Sequence, residues 1–297
     1  METLARWIMR GPVEATGVAV LAGALSWLLP PVIYLGSGAL ALLGMQLGAR
    51  RALAVALAAT GLLGVFGWVA LGHPWGGLLT GLFALVPLAL LGEVVRRSGT
   101  LTTGLQAATA LALVVALLAW LLPQDPVAWW SEQLAALLTG LLPEAREQGL
   151  DPADLEATAA VMPGLIGALL LLGLFISMIL GRWWQALLYN PGGFRQDFRS
   201  LRLGRGLVLV VAAAAALGLA GVSVAANLAL VGVAGMAFHG LAVLHAMVAR
   251  LPQGALWLVP LYVLLVFALP YASIMLATVA ALDTAMDLRG RVGSGDA

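Results

Sequence analysis

Long apolar runs broken by short polar punctuation set the pattern of this chain. They fall at 11–29, 32–48, 52–71, 78–94, 103–122, 159–184, 207–220, 228–248 and 255–282, most of them 17 to 28 residues long. An α-helix needs about 20 apolar residues, at about 1.5 Å of rise each, to cross roughly 30 Å of hydrocarbon. A membrane barrel would instead need polar and apolar positions to alternate so that its lumen stays wet. No such alternation occurs. Punctuation falls where helices should stop or bend: Pro30-Pro31, Gly72-His73-Pro74, Pro123, Pro163-Gly164 and Pro270. The pattern predicts an all-α, polytopic transmembrane helical bundle, with residues 1–297 as a single integral membrane domain. Nine apolar segments are visible, and eight to ten crossings are expected.

Two polar stretches interrupt the runs. In residues 123–157, Trp130, Leu134, Leu137, Leu138 and Leu141 recur at helical spacing and form one apolar face. Trp129 and Trp130 suit the headgroup region, so an amphipathic helix on the outer leaflet is expected, limited by Pro143. Asp151-Pro152 reads as an N-cap followed by proline at the first helical position, opening the next span. Such a helix serves as a tether between spans or as a lid over an outward-facing pocket. In residues 186–205, Asn190-Pro191-Gly192-Gly193 is a strong turn signal. Beyond it, Phe194, Phe198 and Leu201 share one helical face and Arg195, Arg199 and Arg202 the next. An aromatic face beside a basic one predicts an amphipathic segment at an anionic inner leaflet. Tyr189, Asn190, Phe194, Arg195, Arg199 and Arg202 are therefore candidates for lipid contact or for docking a protein partner. The basic face is small and lipid phosphates are the nearer anions, so nucleic acid is not an expected partner.

Composition fixes the solvent and charge fixes the orientation. Of the 297 residues 62% are hydrophobic and 10% charged, with a mean hydropathy of +1.02. That is too little polar surface for a protein in water, so lipid is the remaining solvent. A cytoplasmic N-terminus places Arg6, Arg10, Arg50, Arg51, Arg96, Arg97, Arg182, Arg195, Arg199, Arg202, Arg205 and Arg250 inside, as positive-inside bias demands. The 123–157 stretch then lies outside with seven carboxylates against Arg146. A bacterial cytoplasmic (inner) membrane is the expected location. Nine plain crossings would leave Arg289 and Arg291 outside. Either the last run breaks at Pro270 into a hairpin that returns the C-terminus to the cytoplasm, or a short early segment such as 32–48 is re-entrant. The second would also move Arg50 and Arg51 to the wrong side, so the break is the expectation.

Candidate chemistry is sparse. Cysteine is absent, which removes disulfides and thiolate sites, and with three histidines no metal site is expected. There is no G-x-x-x-x-G-K-[ST], H-E-x-x-H or G-x-S-x-G sequence, so neither an enzyme nor a cofactor is expected. Polar groups near the spans are costly and informative. Gln106, His239, Tyr262 and Tyr271 are the pocket candidates, the tyrosines flanking Pro270. His239 and His245 are six apart, about 240° around a helix, and share no face. Asp283 and Asp287 share a face near the end of the chain. They read as a solvated helix end, or Asp283 pairs with an arginine of the 182–205 stretch. Gly44-x-x-x-Gly48, Gly61, Gly64 and Gly67 offer small faces for close helix contact.

Several stretches together resemble a known family. These are Ile8-Met9-Arg10-Gly11; Trp184-Gln185-Ala186-Leu187-Leu188-Tyr189-Asn190-Pro191-Gly192-Gly193-Phe194; Phe198-Arg199-Ser200-Leu201-Arg202-Leu203; His239-Gly240-Leu241; and Leu282 to Arg291. They are similar to the gammaproteobacterial branch of the YybS-like family of polytopic membrane proteins, over nearly the whole chain. That family is remotely similar to the substrate-binding membrane components of energy-coupling-factor transporters, which hold a small metabolite in a helical bundle and borrow a separate ATPase. The long acidic loop and extra spans depart from their compact six-helix pattern. The resemblance implies a transporter-like protein that binds or moves a small metabolite without its own ATPase. The alternative is a membrane organiser or assembly factor that holds a protein partner through residues 186–205.

Overall fold

A computed structural model describes residues 1–141 and 152–291 of the chain. Every regular element among them is helical: α1 (Glu2–Ile8), α2 (Pro12–Leu25), α3 (Ile33–Leu47), α4 (Ala49–Leu71), α5 (Trp75–Thr80), α6 (Val86–Ser98), α7 (Leu101–Leu121), α8 (Pro126–Leu141), α9 (Pro152–Tyr189), α10 (Gly193–Arg199), α11 (Arg205–Leu219), α12 (Ser223–Val248), α13 (Gly254–Phe267), α14 (Leu269–Met286) and α15 (Leu288–Arg291). A 3₁₀ turn, Pro30–Val32, leads into α3, and a π turn, Gly81–Leu85, joins α5 to α6. Seven stretches are long and apolar enough to cross a membrane, and Pro12–Leu25, Arg205–Leu219 and Leu256–Phe267 are shorter apolar helices. The molecule is a polytopic, all-helical membrane protein. Its outward side chains agree, since Leu219, Phe267 and Val69 are each more than 80% exposed on helices with no reason to face water.

Helices approach closely where side chains vanish. A Cβ on Gly44 would lie 2.6 Å from the Ala89 carbonyl oxygen, and one on Gly92 would lie 2.6 Å from that of Ala41. Backbone therefore meets backbone where α3 crosses α6, the small-residue contact that membranes favour. Just past this crossing Gly48 (φ +85°) turns the chain into α4. Glu93 accepts from the Ala49 backbone N–H there at 3.1 Å, satisfying an orphan donor at the α4 N-terminus. Arg96 holds the same carboxylate through two 2.7 Å bonds and Arg97 through one of 2.5 Å.

At Pro163-Gly164, where a bend is expected, α9 runs on as one helix, and a side chain from a neighbouring helix spans the turn. Proline has no N–H, and its ring crowds the preceding turn. Asn227 of α12 sits across that turn of α9. Its Oδ1 accepts from Gly164 N–H at 2.6 Å and its Nδ2 donates to the Ala160 carbonyl at 2.8 Å. Those two groups belong to the same turn of the helix, so one amide serves both. In lipid such groups have no water to turn to.

The final apolar run is not one long helix. It breaks at Ala268, with Pro270 seated in the first turn of α14. Arg250, just before α13, donates to the Arg289 carbonyl in α15 at 3.2 Å. The run therefore leaves one face of the bundle and returns to it. That face also carries residues 186–205 and is called the basic face below. The amphipathic segment there is shorter than the spacing predicts. The α10 helix stops at Arg199, so Leu201 and Arg202 do not continue its faces. The Asp151 cap, Pro143 and the middle of the acidic stretch lie outside the described residues. Within α8, the Trp130 indole donates to the Ala119 carbonyl at 3.3 Å and so docks on α7, while Trp129 remains exposed.

Candidate functional site

The close packing of α12 on α14 creates the most unusual chemistry in the molecule. A Cβ on Gly240 would lie 2.0 Å from the Leu276 carbonyl oxygen, so only glycine allows this approach. It brings His239 and Asp283 together, with Nε2 to Oδ2 at 3.1 Å and side chains 1% and 0% exposed. Asp287 then ends α14 in the left-handed region (φ +49°) and folds the chain back on itself. That reversal delivers Arg289 to the same carboxylate. Its Nη2 donates to Oδ2 at 2.8 Å, and its Nε and backbone N–H both donate to Oδ1 at 3.3 Å. Its Nη1 reaches the other way, to the carbonyls of Arg199 at 2.7 Å and Leu201 at 3.1 Å.

This arrangement answers a severe cost. Removing a charge from water costs several kcal/mol even after relaxation, and attraction offsets it only when the remaining hydrogen-bonding sites are filled. Arg289 fills nearly all of its donors. His239 is less well served: its Nε2 lies between Asp283 Oδ2 and Arg289 Nη2, the latter at 3.3 Å. A carboxylate only accepts and a guanidinium only donates, so a proton on Nε2 serves Asp283 and a lone pair there serves Arg289. In either tautomer Nδ1 has no partner among the described residues.

Further contacts fasten the 186–205 segment to the bundle. Arg182 donates to Asp197 at 2.8 Å, with both side chains about nine-tenths buried. Arg202 pairs with Asp287 at 2.6 Å, and its backbone N–H donates to Thr102 Oγ1 at 3.3 Å. Gln106 donates to the Leu203 carbonyl at 3.1 Å. Leu201 and Leu203 are buried beneath.

The four pocket candidates are not brought together. Gln106 holds the segment, and His239 sits on Asp283. The Tyr262 hydroxyl donates to His245 Nε2 at 3.1 Å, while His245 Nδ1 donates to the Leu241 carbonyl at 2.8 Å. Tyr271 projects from the outer surface and is 76% exposed. Asp283 is not a solvated helix end, and its arginine is Arg289; Asp287 is the one that reaches the 182–205 stretch. Of the segment candidates, Tyr189 is exposed and the Asn190 side chain folds over Gly193. Phe194 and Phe198 lie 5.9 Å apart and pack toward the bundle, Phe198 edge-on to His245 at 5.3 Å. Sequence reasoning missed the central role of Arg289, and also Arg182, Asp197, Glu93 and Asn227. For Glu93 a signal existed, an acid in an apolar run with arginines three and four residues on. For Asp197 and Asn227 nothing local marks the partner.

Arg195, Gln196, Arg199, Ser200, Arg250 and Arg289 line a cleft of about 400 Å³ that opens on the basic face. A second hollow of about 280 Å³ is a shallow apolar groove over Gly61 and Gly64, rimmed by Trp68 and Leu78. Among the described residues no three acidic or histidine side chains are placed to hold a metal ion. The fold and site define a polytopic helical membrane protein with a buried ion cluster at one end of its last spans. The chain matches no protein-family model, no curated protein and no solved structure.

Proposed function

We propose that this is a transporter-like protein of the bacterial cytoplasmic membrane that binds a small metabolite at its inner face and has no ATPase of its own. The observation that carries this reading is the position of Arg289. Arg289 is among the residues that line an open cleft, and its guanidinium neutralises Asp283 inside the helix bundle. A ligand that draws Arg289 toward the cleft weakens its hold on Asp283 and His239, which belong to two spans. Ionisable groups within spans are costly, pair with one another and mark substrate and ion pathways. Occupancy of the cleft is in this way linked to the fit of α12 on α14. The sequence lacks a phosphate-binding loop, which agrees with borrowed energy. The resemblance to the YybS-like family belongs to the same proposal, as do ten crossings with both termini cytoplasmic.

Mass analysis of small molecules released from the gently purified protein tests this reading. A metabolite near one equivalent is expected, and depleted in an Arg199→Gln variant that folds normally. A second reading draws on the way residues 186–205 are pinned: a preorganised surface suits an organiser that docks a protein. No released metabolite, together with a copurifying protein lost on changing Arg195, Arg199 and Arg202, would replace the transporter by that organiser.

A further inference from the structure

The charges around the cleft do not cancel. The carboxylates nearest the cleft, among the described residues, already have their arginines: Asp197 with Arg182, Asp283 with Arg289, Asp287 with Arg202. Arg195 and Arg199 have no carboxylate partner among the described residues, and Arg250 spends a donor on a neutral carbonyl. Three guanidinium groups therefore surround one opening without a counter-charge. The carboxyl end of α12 faces the same place, near Ala246, and a helix end offers about half a negative charge. That offsets only a fraction of the three.

Geometry narrows the missing anion. The guanidinium fork matches the spaced oxygens of phosphate or carboxylate, and several forks around one point favour the group with more oxygens and charge. The backbone of Arg199 is fixed at the cleft, because its carbonyl accepts from Arg289 at 2.7 Å. Ser200 lies on the rim, and its hydroxyl donates to the Asp197 carbonyl at 2.8 Å. A cleft of about 400 Å³ accepts a phosphorylated small molecule or one lipid headgroup. Basic pockets at helix ends beside an anionic leaflet are the recognised setting for such headgroups. We propose that the cleft between α10, the end of α12 and α15 is a binding site for a phosphate-bearing anion, held by Arg195, Arg199 and Arg250. The proposal rests on the preceding reading for the cleft's role in transport, though not for the binding itself.

The test uses the full chain in lipid nanodiscs, with thermal unfolding as the readout. One arm titrates inorganic phosphate into phosphatidylcholine discs, and the other replaces part of the lipid by phosphatidylglycerol. Stabilisation in at least one arm is expected, and Arg195→Gln/Arg199→Gln should weaken it on the order of 100-fold. A control, Arg50→Gln/Arg51→Gln, removes two charges from outside the cleft and should change it less than about 3-fold. Response to phosphate assigns a soluble ligand, and response to phosphatidylglycerol alone assigns a headgroup. No response in either arm overturns the site, as does an equal loss in the control. A released metabolite without phosphate defeats this ligand class and leaves the transporter standing. Phosphate binding without any released metabolite defeats the transporter and leaves the site.

Discussion

Asp283 has no exposure, yet it carries three bonds from Arg289 and one contact with His239. Removing one member of a buried pair strands the other, which typically costs about 3–5 kcal/mol, whereas replacing both by apolar residues is often neutral. Asp283→Asn should therefore lower the unfolding temperature sharply, and Asp283→Leu/Arg289→Met should recover most of the loss. Thermal unfolding of the three proteins in one detergent measures this. A double variant as unstable as the single one would mean that Arg289 acts mainly through the Arg199 and Leu201 carbonyls. By contrast, the Glu2–Arg6 pair is exposed on both sides and contributes little. At this scale the sequence offered residue types but not partners. Asp283 and Arg289 are six apart, a spacing that no straight helix brings together, and only the left-handed turn at Asp287 closes it.

Helices were the most legible elements, because about 20 apolar residues in a row have few other solutions in lipid. A weak turn at Pro163 was readable from the proline alone, while the bonds that Asn227 gives it were not, since Gly164 and Asn227 lie 63 positions apart. Asn227→Leu should leave the Ala160 carbonyl and Gly164 N–H unsatisfied, at about 1–3 kcal/mol each. Asn227→Asp keeps the acceptor but turns an oxygen on the Ala160 carbonyl and buries a charge without a partner, so it should be no more stable than Leu. Unfolding temperatures in that order, both below the parent, support the bridge; equal values for Leu and the parent would show that the turn satisfies itself. The α10 segment was overextended on paper. Its face pattern continues to Arg202, but burial of Leu201 and Leu203 pulls the chain out of the helix after Arg199.

At the level of the whole molecule, both ends of the last apolar run meet the basic face, through Arg250 and Arg289. If that face is cytoplasmic, the acidic stretch is outside and the C-terminus is inside. The chain has no cysteine, so Gln148→Cys introduces a single label site, in a part of the acidic stretch outside the described residues. It should react with an impermeant thiol reagent in intact spheroplasts, and a fluorescent protein fused after Ala297 should glow. Labelling only after lysis, or a C-terminal phosphatase fusion that is active, reverses this topology.

The sequence by itself determined the solvent, the helical class and the clustering of arginines toward one side, because each follows from composition summed along short windows. It also marked the break in the final run, since proline acts locally. Tertiary structure alone decided that Gln106 serves the 186–205 segment and that His239 and Asp283 face each other. It decided too that Arg195, Arg199 and Arg250 surround one cleft. Each of these depends on which helices adjoin and at what height, and that is set by the glycine contacts at Gly44, Gly92 and Gly240. Identical glycines elsewhere, such as Gly17 and Gly61, meet nothing within 4 Å. A small residue permits close approach, but only the packed bundle determines which small residues are used.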